Sequence, residues 1–489
     1  MRPISRRSTL ALAGGLAAPV IAQAQPAPSM TLTMACMNDP YATVLARLAP
    51  RYQERSGVRV NVDILSYPEL LSRITADFVG RTRNYDLCTM DIVWAGQFAE
   101  AGHTVELSSL IQRDRAEIGL DDIYESALLG IGNFRGRQIA FPFAAYVNVL
   151  AFRRDLYERA GLRPPETMAE LVANAERLTD APNNIYGWAA NGRRGPPVAQ
   201  DWMTYNAQIG GSILGADNRR ALNSAANTRS LTVYRDLFRK AAPPGAVNYD
   251  WAARHEAYRQ GIVAQHQIWS ISIPTYENPE ISRVVGRTNI ILAPTAEGMP
   301  KRYGIGGWGL AINASIEDRR RDAAWGFLKW AASAEIQREF LAAGIGVFTR
   351  KSVLNDPALR ARFPFFAVAD QSLSNGDADF RPRIPQYPQI QDLLGTAVNG
   401  VLVGTADPQR ALDDAQGRAL RLFCEAGGRH GRHADGDARH HARRAPRARL
   451  RGAAAAVPGD DRAAGAALHD RGRALAARAR LLPVVHRLH

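Results

Sequence analysis

Aromatic rings, acids and amides collect where strand-like stretches of this chain end. Asn38, Asp39 and Tyr41 follow the first such stretch, Tyr67 the second, and Asp91 and Trp94 close the third. Tyr146, Trp202, Trp269 and Trp308 stand at later strand ends or loop starts. The chemistry open to such a set is recognition: rings offer flat apolar faces, and a carboxylate at a strand end accepts hydrogen bonds from a small solute. Asp91 is the sharpest polar candidate, against a plainer reading as the cap of a short helix. Asp39 reads equally well as the N-cap of a helix opened by Pro40, so Asn38 ranks above it. For each ring the plain alternative is ordinary packing. Asn148 and Asn191 are weaker candidates. Arg381 and Arg383, in Phe380-Arg381-Pro382-Arg383, read more readily as a solvated charge pair.

Covalent chemistry lacks its signatures. There is no Gly-x-Ser-x-Gly elbow and no His-Glu-x-x-His motif. Glycoside cleavage needs two opposed carboxylates; Asp91 with Glu69 or Asp39 could be drafted, but no motif anchors the pair. Outside the C-terminal segment the only histidines are His103, His255 and His266, too dispersed to suggest a metal centre. No catalytic residue, cofactor or metal is expected.

The elements that must position these residues follow an α/β pattern. Residues 30–37, 58–64 and 85–94 read as strands, the second rich in β-branched residues. Between them lie a helix with Val44, Leu45, Leu48 and Tyr52 at helical spacing, ended by Gly57, and one with Leu70, Leu71, Ile74 and Phe78 on a face. Strand, helix, strand, helix, strand predicts a parallel sheet with covering helices, whose ligands sit beyond the carboxyl ends of strands. Further strands are expected at 139–143 and 147–152, around Ala144-Ala145-Tyr146, then at 262–269, 288–292 and 306–312. Helices are expected near 167–178, 199–209, 227–240 and 250–260, with one long helical segment over 317–342 that holds Trp325, Leu328 and Trp330, the two tryptophans being core residues.

The chain has 489 residues, 46% hydrophobic and 22% charged. That is long enough for two domains and composed like a globular protein. Three cysteines rule out a disulfide scaffold. Cys36 and Cys88 lie in apolar strand-like runs, so two buried thiols fit better than a bridge, which an oxidising compartment leaves open. The net charge of +14 invites a nucleic-acid reading, but its distribution argues against one: residues 425–489 carry 14 arginines against 6 acids, while residues 25–424 are nearly neutral. Arg2, Arg6 and Arg7 precede an apolar stretch over 10–21, and Ala22-Gln23-Ala24 offers small residues to a signal peptidase. This is the pattern of an export signal cleaved after Ala24, and Ser5-Arg6-Arg7-Ser8-Thr9-Leu10 resembles the twin-arginine motif.

An ordered series of segments then carries a family likeness: Tyr85-Asp86-Leu87 to Met90-Asp91-Ile92-Val93-Trp94, Phe98-Ala99-Glu100-Ala101-Gly102, Phe141-Pro142-Phe143 with Val147-Asn148-Val149-Leu150, Arg154-Asp155-Leu156-Tyr157, Gly261-Ile262-Val263-Ala264 to Trp269-Ser270, Gly306-Gly307-Trp308-Gly309-Leu310, and Gly344-Ile345-Gly346-Val347 before Arg350-Lys351-Ser352-Val353-Leu354. Over residues 30–424 the chain resembles the type-2 periplasmic solute-binding proteins of ABC importers, in the maltose-binding-like, sugar-binding branch. The resemblance implies two α/β lobes, one of 29–141 and 292–350 and the other of 142–291 and 351–424, with a hinge and a solute cleft between them. It also implies a monomer in the periplasm that captures a sugar or polyol and delivers it to ABC permease subunits in the inner membrane, without inserting there itself and without nucleic acid. In that cleft Asn38, Asp39, Tyr41, Tyr67, Asp91, Trp94, Tyr146, Trp202, Trp269 and Trp308 become the ligand-binding set, the rings matching the C–H faces of a sugar and the polar groups its hydroxyls. A polyamine or phosphodiester binder, or a secreted carbohydrate-active enzyme, are the rival readings.

Past Cys424 the alphabet collapses. Residues 425–489 contain no Lys, Ser, Thr, Asn, Gln, Ile, Met or aromatic residue, and hold seven of the ten histidines. Arginine outnumbers lysine 57 to 4 across the chain, as in a GC-rich genome. We therefore expect this basic Ala/Arg/His-rich tail to be disordered and to arise from translation out of frame. An independent DNA read that leaves the frame intact would remove that hypothesis.

Overall fold

The computed structural model describes residues 28–214, 221–299, 301 and 303–421. The export leader and the tail fall outside the described residues. Three strands, β1 (Met30–Met37), β2 (Val58–Leu65) and β3 (Leu87–Asp91), pair in parallel, with Met30↔Val58 through Met37↔Leu65 and Met34↔Leu87 in register. Parallel pairing requires crossover helices. They are Pro40–Ser56 and Tyr67–Gly80, which bury Val44, Leu45, Leu48 and Tyr52, and Leu70, Ile74 and Phe78.

Residues 139–152, expected as two strands, form one. Strand β4 runs without interruption over Phe141–Arg153, every residue buried. Its register shifts between Pro142 and Ala144, where proline has no N–H to give a ladder. Ala144-Ala145-Tyr146 does not break it because partners are present on both sides of that point. Behind β4 come β5 (Gln265–Trp269), β6 (Thr288–Leu292), β7 (Tyr303–Ile312) and the two-residue β8 (Gly376–Asp377). The first half of β4 pairs antiparallel with β7, Phe141↔Leu310 to Val147↔Ile305. Its second half pairs with β5, Asn148↔Trp269 to Phe152↔Gln265, and with β6, Val149↔Leu292 to Arg153↔Thr288. Strand β7 in turn pairs antiparallel with β3, Leu87↔Ile312 to Asp91↔Trp308. The order β2-β1-β3-β7-β4-β5 thus carries pairing from the N-terminal parallel strands, through two long crossovers, to the β5 and β6 strands.

Other boundaries differ from the sequence reading as well, the strands expected at 262–269 and 306–312 being Gln265–Trp269 and Tyr303–Ile312. The third strand ends at Asp91 and turns at once into a 3-10 turn, Ile92–Trp94. The long helix over 317–342 is two helices, Asp318–Ala331 and Ala334–Ala342, because the Ser333 hydroxyl accepts from the Ile336 amide and starts a new N-terminus. Trp325 and Trp330 are core residues as expected, and Leu328 is buried too. Cys36 and Cys88 are buried free thiols. Among the described residues no helix is long and apolar enough to cross a membrane.

Candidate functional site

The ends of β1, β2, β3 and β5 and the middles of β4 and β7 converge on one cavity of about 330 Å³. That is at the small end of the range for small-molecule sites. It is bordered by Asn38 and Asp39 after β1, Tyr67 after β2, Asp91 at the end of β3, Tyr146 in β4, Trp269 at the end of β5, and Gly306, Gly307 and Trp308 in β7. Another depression, of about 400 Å³, borders Arg135 and Asp379. Its Asp379 is already paired with Arg383.

The backbone makes this convergence possible. A Cβ at Gly307 would lie 2.2 Å from the Ala144 carbonyl oxygen, and one at Gly306 would meet the Trp269 indole at 3.0 Å. Glycine at both positions lets β7 approach β4 closely and lets Trp269 lie over the crossover. Asp91 and Trp308 face each other across the β3–β7 ladder. One strand pair therefore supplies an acid and an indole side by side.

Asp39 starts the helix Pro40–Ser56, yet its side chain makes no cap bond. Its Oδ2 instead accepts from the Tyr146 hydroxyl and from Trp308 Nε1, each at 2.9 Å. The reading of its side chain as a helix cap is therefore corrected; both residues border the cavity, Asn38 exposed and Asp39 half-buried. Burial pushes the Asp39 carboxyl up to about 6, against the pull of its two donors and with a push from Asp91. Asp91 Oδ2 accepts from the Tyr67 hydroxyl at 2.9 Å. Burial raises its carboxyl too, opposed first by the charge of Arg381 and then by Tyr67.

Arg381 is the clearest departure from the sequence reading. It is 2% exposed, borders the cavity, and lies 5.8 Å from the Trp269 ring and 5.1 Å from Phe380. A lone arginine in a Pro-flanked loop looks solvated on paper. Here the acid whose charge acts on it, Asp91, comes from almost three hundred residues earlier. Arg383 is not a free surface charge either: its Nη1 donates to the carbonyls of Leu129, Gly130 and Asn133.

Three expected rings do not border the cavity. Tyr41, Trp94 and Trp202 are each fully buried. Tyr41 packs on Phe143 at 5.1 Å and Phe340 at 6.5 Å, since the residue after Pro40 turns to the helix's core face. Trp94 stands behind the site wall, 5.0 Å from Tyr67 and 5.6 Å from Trp308. Trp202 lies on the inner face of the helix Pro196–Gln208. Asn148 and Asn191 are buried and also outside the lining. Sequence reasoning missed Gln200, Asp250, Trp251 and His255. Trp251 donates from Nε1 to Gln200 Oε1 at 2.6 Å and approaches Tyr67 at 6.5 Å. Its signal was present: Asp250 caps the helix Trp251–Arg259 through the Ala253 amide, which puts an indole at a helix start.

The cavity is thus bordered by three carboxylates, of which Asp250 is taken up as a helix cap, one buried guanidinium and a wall of rings. Among the described residues no three His, Cys, Asp or Glu side chains gather as metal ligands. Residues 37–338 match a family described as bacterial extracellular solute-binding protein. An ABC transporter solute-binding protein from Agrobacterium radiobacter K84, solved in complex with ribitol, is 51% identical, with a TM-score of 0.79 over 82% of this chain and 100% of its own. The mannitol-binding protein of Pseudomonas aeruginosa is 28% identical over 84% of this chain and 96% of its own. A probable amino-acid ABC transporter periplasmic-binding protein of Sinorhizobium fredii is 24% identical over 78% of this chain and 87% of its own.

Proposed function

We propose that this chain, which belongs to the bacterial extracellular solute-binding proteins, is the receptor of an ABC importer for a sugar or polyol, and that an acyclic polyol of the ribitol kind is its solute. The observation that carries the proposal is the convergence of Asp39, Asp91 and Arg381 between Tyr67, Trp269 and Trp308 in one cavity of about 330 Å³. Carboxylates accept hydrogen bonds from hydroxyls, a guanidinium donates to hydroxyl oxygens, and indole faces cover C–H edges. The 51% identity to a protein solved with ribitol supports a polyol over a cyclic sugar.

In this reading Asn38, Asp39, Tyr67, Asp91, Tyr146, Trp269 and Trp308 touch the solute, joined by Trp251 and Arg381, while Tyr41, Trp94 and Trp202 support the wall from behind. Lobe one is 29–141 and 292–350, and lobe two is 142–291 with the described part of 351–424. The crossovers β4 and β7 are the hinge. A polyol bridging both lobes favours the closed form, and the permease reads that form, so binding becomes a transport signal by population shift. The protein works in the periplasm as a monomer after removal of the leader at Ala24, and it leaves the solute's covalent bonds intact.

A polyamine fits less well because the buried Arg381 would face a second cation, and a phosphodiester less well because Asp39 and Asp91 would face an anion. A thermal-shift screen of polyols, sugars, amino acids, polyamines and phosphodiesters tests the proposal, since a ligand of the folded state raises the melting temperature. Ribitol or a close polyol should give the largest rise. A larger rise with an amino acid or a polyamine, or none with any polyol, would overturn it.

A further inference from the structure

We infer that His255 presents an N–H donor to the cavity and that a buried chain of two histidines and a tyrosine fixes it in that form. The inference rests on the polyol reading for its ligand, and makes His255 a specificity residue of the same site.

His255 borders the cavity from the helix Trp251–Arg259. Behind it, His255 Nδ1 lies 3.1 Å from the Tyr276 hydroxyl, and that hydroxyl lies 2.9 Å from His266 Nε2. Tyr276 is 1% exposed and His266 not at all. Burial and the charge of Arg254 keep both rings neutral, so each carries one ring proton. The tyrosine hydroxyl has a single proton: it donates to one ring and accepts from the other. Only two arrangements satisfy both bonds. In one, His266 Nε2–H donates to Tyr276, Tyr276 donates to His255 Nδ1, and the His255 proton is left on Nε2. In the other, every bond is reversed.

His266 Nδ1 decides between them, because it is buried with no partner. The reversed arrangement would put a proton there and bury an N–H without an acceptor, the rarer and more costly defect. Arg254, whose charge acts on both rings, already leaves Nε and Nη2 unpaired; its Nη1 is taken by Asp201. An added N–H would be one more buried donor in want of an acceptor. A bare Nδ1 adds an acceptor instead. The first arrangement therefore holds, and His255 Nε2 carries the proton not used by the chain behind it.

The chemical consequence is selective. The wall formed by His255 requires an oxygen with a lone pair, such as a hydroxyl, and rejects an ammonium, which has none to give. Asp39 and Asp91 border the site as acceptors, and His255 and Arg381 as donors. A polyol satisfies both kinds; an amino-substituted polyol with its ammonium at the histidine does not.

Long-range ¹H–¹⁵N NMR of the full chain labelled in histidine reads the tautomer directly, the His255 signals being assigned by their loss in His255→Gln. Protonation at Nε2 with a bare Nδ1, in the unliganded protein at neutral pH, is the expected result; protonation at Nδ1 overturns the inference. Tyr276→Phe should release the ring to a mixture of tautomers and weaken ribitol binding about fivefold, the worth of one neutral hydrogen bond. If Tyr276→Phe folds and keeps a single Nε2–H form, the chain is not what fixes it and the inference fails. The tautomer is read without ligand, so a protein that binds no polyol but shows Nε2–H would sink the polyol reading alone.

Discussion

Replacing Asp39 by asparagine separates the stability of the empty site from its affinity. The Asp39 carboxyl sits near 6 instead of 3.8. At about 1.36 kcal/mol per unit, keeping it ionised above pH 7 costs the empty protein up to about 3 kcal/mol, less whatever residual solvent contact returns. Asparagine removes that burden, and the preference of the Tyr146 and Trp308 bonds for a charged acceptor is already contained in the shift. At pH 8 the variant should therefore be more stable than the wild type, by up to about 3 kcal/mol. The pH dependence is sharper. Between about pH 4 and 6 the native protein holds a proton that the unfolded chain has released, so wild-type stability falls as pH rises through that window and levels off above it. Asp39→Asn should flatten this slope. Ribitol affinity at pH 7.5 should meanwhile drop roughly tenfold, because a neutral acceptor replaces a charged one. Denaturant titrations from pH 4.5 to 8, with calorimetry at pH 7.5, read both effects. A variant that keeps the full wild-type slope, or binds ribitol unchanged, refutes the placement of this carboxylate.

Trp269→Ala and Trp308→Ala should each lower the unfolding free energy by about 3–5 kcal/mol and abolish the ribitol-induced rise in melting temperature; a rise retained in both removes the aromatic wall from the site. Gly307→Ala drives a Cβ to 2.2 Å from the Ala144 carbonyl and should cost about 3 kcal/mol, seen as a lower denaturation midpoint at unchanged m-value. A midpoint like the wild type's would mean that the two crossovers do not approach as closely as described. Burial raises both the Cys36 and the Cys88 thiols far above the ordinary range. A thiol reagent should therefore modify neither before unfolding, leaving Cys424 as the sole candidate for native labelling, and rapid native labelling of two cysteines would contradict that burial.

Much of this architecture is legible in the chain because it rests on local signals. The β-branched run of β2 and the Asp39-Pro40 junction each fix an element from a few adjacent residues. What escaped the sequence depends on partners distant in the chain. Strand β4 reads as two because its halves pair with different strands, β7 and then β5 and β6, none of which its own residues reveal. Arg381 reads as solvated because Asp91 and Trp269 are far away in sequence. Tyr41, Trp94 and Trp202 lie one residue, or one helix face, from the cavity, and residue type at a strand end cannot tell the inner face from the outer. His255 carried no motif at all; its role emerges only with Tyr276 and His266 in place behind it.

The central claim is reversible capture of a polyol, and calorimetric titration of the purified protein with ribitol, followed by mass and NMR analysis of the recovered ligand, tests it most directly. The account predicts one saturable site per chain with a Kd of about 1 μM or tighter and ribitol recovered unchanged. Absence of saturable heat with ribitol and mannitol alike, or recovery of a chemically altered polyol, would contradict it.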